Sequence, residues 1–176
     1  MEIYVREAVE TDLDTIAELG AEAFKGHGGS ISSSKEWSNC WFRAFPMYQY
    51  YVAIIRWTES FTLEQVIGFV GWQVHGGFNR AEPVLELEQI AIDVNHRGQN
   101  LAPLLIEKSF LKIVEWMKEE NSQLQDEINV IVWGYSSNLS AMRLYLRKFT
   151  DGVVGTRLQY GDDKVESMLR YREKLV

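Results

Sequence analysis

The sequence predicts an α/β (α+β) fold, a sheet flanked by helices and containing one strand–helix–strand crossover, on three observations. The first is the stretch Leu85–Met117, LELEQIAIDVNHRGQNLAPLLIEKSFLKIVEWM, which reads as strand, short polar loop and helix. The second is the apolar run Ile128–Trp133, which follows after the polar segment 119–127. A helix between two such strands makes them parallel neighbours joined by a right-handed crossover. The third is a pair of β-prone segments, Tyr50–Trp57 and Val66–Val74, separated by the polar residues 58–65 and therefore a meander.

Composition bounds what such a fold can be. With 176 residues, 46% of them apolar, 24% charged and only 3 prolines, the chain is expected to fold as a single domain over residues 1–176. A formal charge of −7 argues against a general nucleic-acid partner, because such binding comes from neutralising phosphates with a basic face. It favours cationic partners weakly, and an acidic solvated surface that merely aids solubility is the simpler explanation. Cys40 is the only cysteine, so no internal disulfide forms, and a cytoplasmic location is expected. A buried, inert thiol is expected there. The opening MEIYVREAVETDLD carries acids and no long apolar core, unlike a signal peptide, and no run is long enough to span a membrane.

Taken in order, Ile3–Arg6 is a short strand, and Thr11 is a candidate helix cap leading into Leu13, Ile16, Ala17 and Phe24 at helical spacing. Lys25–Ser34, KGHGGSISSS, lacks periodicity and reads as a loop. Trp37, Trp41 and Phe45 recur four apart on one helical face, either as packing or as part of a pocket lining. Gly68 and Gly71 in IGFVGW point to close approach of another segment or to a bend, not to a phosphate loop, since no helix follows them. His75 ends that strand, either accommodated or bordering a ligand, and Gly76–Arg80 breaks the sheet. In the central strand Leu85, Leu87 and Ala91 alternate with Glu86, Glu88 and Ile90. The following helix is expected to begin at Pro103, with Ala102, Ile106, Phe110, Ile113 and Met117 on one face. After Ile128–Trp133 a capped helix holds Leu139, Met142 and Tyr145 one turn apart, and Val153–Tyr160 with Lys164–Arg170 closes the chain as a hairpin around 161–163.

The turn between the central strand and its helix has a chemistry of its own. Arg97-Gly98-Gln99-Asn100 can turn tightly because glycine, and less easily asparagine, accepts positive φ. Free backbone N–H groups, the positive end of a helix dipole and the Arg97 charge then meet at one corner, a place suited to anions.

Arg97-Gly98-Gln99-Asn100-Leu101-Ala102 resembles the Q/R-x-x-G-x-G/A pyrophosphate motif of the GNAT superfamily of N-acetyltransferases, with Asn100 in place of the first motif glycine. Two further stretches are similar to that superfamily. Arg6–Asp12 has its opening R-x-A-x-x-x-D, and Asn138–Tyr145 has its N-x-x-A-x-x-L-Y, although Lys148-Phe149-Thr150 replaces the usual glycine-phenylalanine pair. The resemblance implies a mixed, mostly antiparallel sheet of six to seven strands. Its central parallel pair would be splayed to form a cofactor cleft, and helices, about four of them, would flank it.

The resemblance also implies a reaction: transfer of an acetyl group from acetyl-CoA to a primary amine, with no metal and no covalent acyl-enzyme. Arg97 and the backbone amides of Gly98, Gln99, Asn100, Leu101 and Ala102 would hold the pyrophosphate, with His96 a helper or a bystander. Backbone groups of Ile90, Ala91 and Ile92 would line the acyl arm, and one of them would polarise the thioester carbonyl. Asn138 would bind the cofactor or cap its own helix. Glu86 is the first choice for the base that withdraws the amine's proton, with Glu88 or a water chain as alternatives, and Tyr145 is the candidate acid for the departing thiolate. Three histidines and one cysteine make no zinc pattern. The expected acceptor is a small amine, aromatic or polycationic. A peptide N-terminus or lysine side chain is the second reading, and an acyl-CoA sensor without turnover is the third. A homodimer is compatible with all three.

Overall fold

Among the described residues, alternating apolar strands, amphipathic helices and glycine turns resolve into seven strands and four helices. The computed structural model describes residues 2–24, 33–44, 48–57, 63–75, 83–120, 127–158 and 165–174. In chain order the elements are β1 (Glu2–Glu7), a 3-10 turn (Glu10–Asp12), α1 (Leu13–Ala23), α2 (Ser34–Ala44), β2 (Tyr48–Trp57) and β3 (Leu63–His75). Then follow β4 (Val84–Ile92), a second 3-10 turn (Val94–His96), α3 (Leu101–Glu120), β5 (Glu127–Tyr135), α4 (Leu139–Lys148), β6 (Val153–Leu158) and β7 (Val165–Lys174). The strands hydrogen-bond in the order β1-β2-β3-β4-β5-β7-β6, a mixed sheet with one parallel pair, as expected. Most of the 25–34 loop, Phe45, most of the 58–65 connection, the Gly76–Arg80 break and the 161–163 turn lie outside the described residues. Among the described residues, no helix is long and apolar enough to cross a membrane.

The chain divides into two compact units, residues 1–71 with 89–113, and residues 72–88 with 114–176. In the first unit β1 runs antiparallel to β2, from Glu2 opposite Arg56 to Glu7 opposite Tyr51. Arg6 at the end of β1 grips Asp12 with two bonds, Nη1 to Oδ2 at 2.6 Å and Nη2 to Oδ1 at 2.9 Å. Asp12 Oδ2 also accepts the Val9 N–H at 2.8 Å. This corrects the expected Thr11 cap: the chain first makes the 3-10 turn, α1 starts at Leu13, and Thr11 is exposed. The acid of the R-x-A-x-x-x-D stretch thus ties a strand end to a helix start. The ion pair with Asp12 holds the Arg6 guanidinium pKa above its ordinary value.

The core of this unit forms because helical and strand periods converge on one face. Leu13, Ile16 and Ala17 of α1 and Trp37 of α2 pack with the alternate residues Tyr50, Val52 and Ile54 of β2 and with Phe69 of β3. The Trp37 indole meets Tyr50 and Phe69 edge to face, with centroids 5.7 and 5.5 Å apart. It is 3% exposed, so this member of the tryptophan stripe is packing. Gly20 admits it, because a Cβ there would stand 2.6 Å from Trp37 Cζ2. Truncating such a side chain to alanine typically costs about 3–5 kcal/mol. Gly68 and Gly71 behave as expected: a Cβ on them would strike Ile92 Cδ1 at 2.6 Å and Tyr50 Cε1 at 2.7 Å.

In the second unit the parallel ladder pairs Val84–Leu87 of β4 with Asn129–Val132 of β5. On its other side β5 pairs antiparallel with β7 from Glu127 opposite Lys174 to Tyr135 opposite Glu166. The closing hairpin therefore enters the sheet by its second strand, leaving β6 outermost, with a bulge between Val153 and Gly155. Ile128, Val130 and Val132 are fully buried, the alternation a half-buried strand requires. In α4 the expected stripe shifts. Tyr145 and Phe149 are buried, whereas Leu139 is 64% exposed, because the helix starts at that residue. In α3 Ile106, Ile113 and Met117 are buried as expected, while Ala102 and Phe110 are only half-buried. Leu101, Leu105, Ser109 and Val114 complete the buried face.

Candidate functional site

The corner between β4 and α3, in the first unit, is built by backbone. Asp93 Oδ1 accepts the Asn95 N–H at 2.7 Å, and the Asp93 carbonyl accepts the His96 N–H at 2.9 Å, which folds the short 3-10 turn. Gly98 then adopts φ 77° and Asn100 φ 59°. Asparagine thus sits in the left-handed region that favours glycine, and it brings a side chain to that position. Space is not what selects Gly98, since a Cβ there would meet nothing within 4 Å; the positive φ is.

α3 starts at Leu101, two residues before the expected Pro103. The first helical N–H groups have no intrahelical acceptor, so a proline in the third position loses no hydrogen bond. Leu104 N–H, reaching the Asn100 carbonyl at 3.5 Å, is the first to close. The N–H groups of Leu101 and Ala102 therefore point out of the helix start beside the exposed run 97–100. Such a corner fits a diphosphate: open space at Gly98, helix-start amides and one guanidinium. Arg97 Nε donates to the Ile92 carbonyl at 3.1 Å, which orients the guanidinium and occupies one of the β4 backbone groups expected to be open. Its neighbour, the Ala91 carbonyl, lies against Gly68 of β3. Ile90 and Ile92 side chains are half-buried and Ala91 is buried.

The second unit holds the candidate base and acid residues. Glu86 and Glu88 share one face of β4, yet their environments differ. Glu86 is 8% exposed and Glu88 is on the surface. Glu86 Oε2 is hydrogen-bonded to Nε2 of His75, the last residue of β3. The imidazole is the outer member of this pair, with side-chain exposure of 41% against 10% for the carboxylate. Sequence reasoning marked both residues without joining them. The signal was faint: a strand ending in histidine, a break, and an acid near the start of the next strand.

Tyr145 is 6% exposed, with its ring edge on Phe149 at 6.1 Å. Burial pushes its pKa up to about 12, so the phenol keeps its proton throughout the neutral range. Gly134 of β5, which sequence reasoning overlooked, makes room for that ring: a Cβ at 134 would lie 3.0 Å from Tyr145 Cε2. Asn138 caps α4, its Oδ1 accepting the Ala141 N–H at 3.2 Å. The Phe149 N–H closes on the Tyr145 carbonyl at 2.7 Å, and the turn beyond it uses Gly152 at φ 71°. Cys40 is exposed rather than buried as expected. Among the described residues no cluster of His, Cys, Asp or Glu has the makings of a metal site.

The sequence profile of the acetyltransferase (GNAT) family matches residues 15–149. The chain belongs to that family. Membership makes this GNAT chain an N-acetyltransferase with acetyl-CoA as donor. Solved structures repeat its fold. Arabidopsis thaliana NAA60 in complex with acetyl-CoA is 15% identical with a TM-score of 0.68, covering 97% of this chain and 98% of its own. A GNAT acetyltransferase from Streptococcus pneumoniae is 16% identical, with a TM-score of 0.62 over 98% of this chain and 100% of its own. Mutant forms of the spermidine/spermine N-acetyltransferase SpeG from Vibrio cholerae are 15% identical, with a TM-score of 0.64 over 97% and 95%. At these identities the likeness is one of fold. No curated protein sequence matches the chain.

Proposed function

We infer that this GNAT chain acetylates a primary amine on a small cationic molecule, by direct attack of the amine on acetyl-CoA within a ternary complex. The observation that carries this reading is the buried Glu86 carboxylate, which supplies a sink for the positive charge that an ammonium must shed before it can attack. Arg97 and the amides of Gly98, Gln99, Asn100, Leu101 and Ala102 hold the diphosphate. Backbone groups of β4 at Ile90, Ala91 and Ile92 align the acyl arm. Asn138 holds the start of α4 and so the position of Tyr145, whose protonated phenol donates to the departing sulfur. Glu88, exposed on the same strand face, adds negative charge that favours a cationic acceptor. The net charge of −7 and the fold shared with a spermidine/spermine acetyltransferase support the same class of acceptor. A single cysteine suits a reducing cytoplasm.

The test is release of free coenzyme A thiol with three acceptor probes: spermidine, phenylethylamine and a tripeptide with a free N-terminus. The expected result is a kcat/KM at least about tenfold higher for one of the small amines than for the peptide. A peptide that outruns both small amines overturns the acceptor class. Absence of thiol release with every probe overturns the reading of small-amine turnover.

A further inference from the structure

The His75–Glu86 pair changes which atom meets the acceptor. Glu86 is almost fully enclosed, and the oxygen Oε2 is already engaged by His75 Nε2. The group that reaches solvent is the imidazole, with 41% of its side chain exposed. An ionised carboxylate only accepts hydrogen bonds, so a neutral His75 must carry its proton on Nε2, leaving a lone pair on Nδ1.

We propose that His75, a residue assigned no role in acetyl transfer above, is the proton acceptor for the amine, and that Glu86 acts through it as a positioning residue. The proposal rests on the small-amine reading of the preceding section. The amine's lone pair forms the C–N bond to the thioester carbonyl carbon, and the proton on that nitrogen passes to His75 Nδ1. The C–S bond breaks with its electron pair on sulfur, which takes a proton from Tyr145. Glu86 holds the neutral ring in the Nε2–H tautomer and balances the imidazolium once formed. This gives the histidine that ends β3 a function set by its partner on β4, eleven positions further along the chain.

The experiment uses the full chain, acetyl-CoA and whichever of spermidine and phenylethylamine the wild type turns over faster. His75→Ala is expected to lower kcat/KM by at least about 10³-fold, and added imidazole is expected to restore part of that loss. His75→Gln, which keeps a hydrogen-bonding side chain but no titratable ring, is expected to fall as far. Glu86→Gln is expected to lower kcat with the acceptor KM unchanged. Circular dichroism and coenzyme A affinity equal to wild type confirm that each variant is folded. Kcat/KM of His75→Ala within about twofold of wild type, or a loss that imidazole leaves untouched in a folded variant, overturns the proposal. If the wild type itself releases no thiol with either amine, it is the small-amine reading that fails.

Discussion

The corner at residues 97–102 and the pair His75–Glu86 represent two ways of building a functional feature. The corner is local. Six consecutive residues, two of them at positive φ, aim backbone amides outward, and only Arg97 contributes a side-chain charge. The pair is non-local: its two side chains come from different strands and meet only because β3 and β4 are neighbours in the sheet. A feature made of backbone tolerates side-chain change as long as φ is satisfied, as Asn100 shows. A feature made of two side chains fails when either is altered. The corner should therefore govern coenzyme A affinity and the pair should govern turnover, and variants that cross this line would break the division.

The largest expected effect is at the pair. Glu86→Gln should lower kcat by about 10³-fold, because a carboxamide cannot balance an imidazolium, while calorimetry shows coenzyme A affinity unchanged. A loss of affinity instead would move Glu86 to the cofactor side. Tyr145→Phe comes next, with about 10²-fold in kcat and no change in coenzyme A binding. The same variant has a signature in stability. The folded phenol titrates near 12 and an unfolded one near 10. Below pH 10 both states are protonated and the group is neutral in its effect. Between pH 10 and 12 only the unfolded state ionises, so the native state loses stability as pH rises. Two pK units amount to about 3 kcal/mol, and chemical denaturation at pH 8 and pH 11.5 should show part of that loss in wild type but not in Tyr145→Phe.

Smaller effects belong to the corner. Arg97→Ala should weaken coenzyme A binding about tenfold, the usual worth of a charge-assisted bond to phosphate, with kcat at saturating donor unchanged. Equal affinity in the variant would remove Arg97 from the site. Asn100→Gly should be smallest, a gain of no more than about threefold, since the backbone already has the glycine conformation and only the side chain is removed. A tenfold gain would show that the carboxamide obstructs the phosphates.

The same contrast explains what could be read before the structure. The corner, the close approaches at Gly68 and Gly71 and the parallel strands flanking α3 were legible, because each follows from the residues of one short segment and its period. Tyr145 was visible through the stretch of which it is part. The union of His75 with Glu86 was not, since strand register decides it and no local pattern encodes register across a break at 76–80. Thr11 looked like a cap because a hydroxyl before an apolar helix usually is one; the demand of Arg6 for Asp12 prevailed. Leu139 looked like core because helical spacing alone does not say which turn of a helix overhangs the sheet. Pro103 misled because the rule about first-turn prolines names a preferred position, whereas the physics forbids none of the first three.

Gly134 has a consequence for turnover. The bare Cα opposite the Tyr145 ring is the room in which the phenol sits, and a methyl there would push the hydroxyl aside by a few tenths of an ångström while leaving the hydrogen bonds of β5 intact. Misplacement of that kind erodes catalysis far more than it erodes folding. On the role proposed for Tyr145, Gly134→Ala would lower turnover while leaving the fold in place, which would separate the proton donor from the scaffold that carries it.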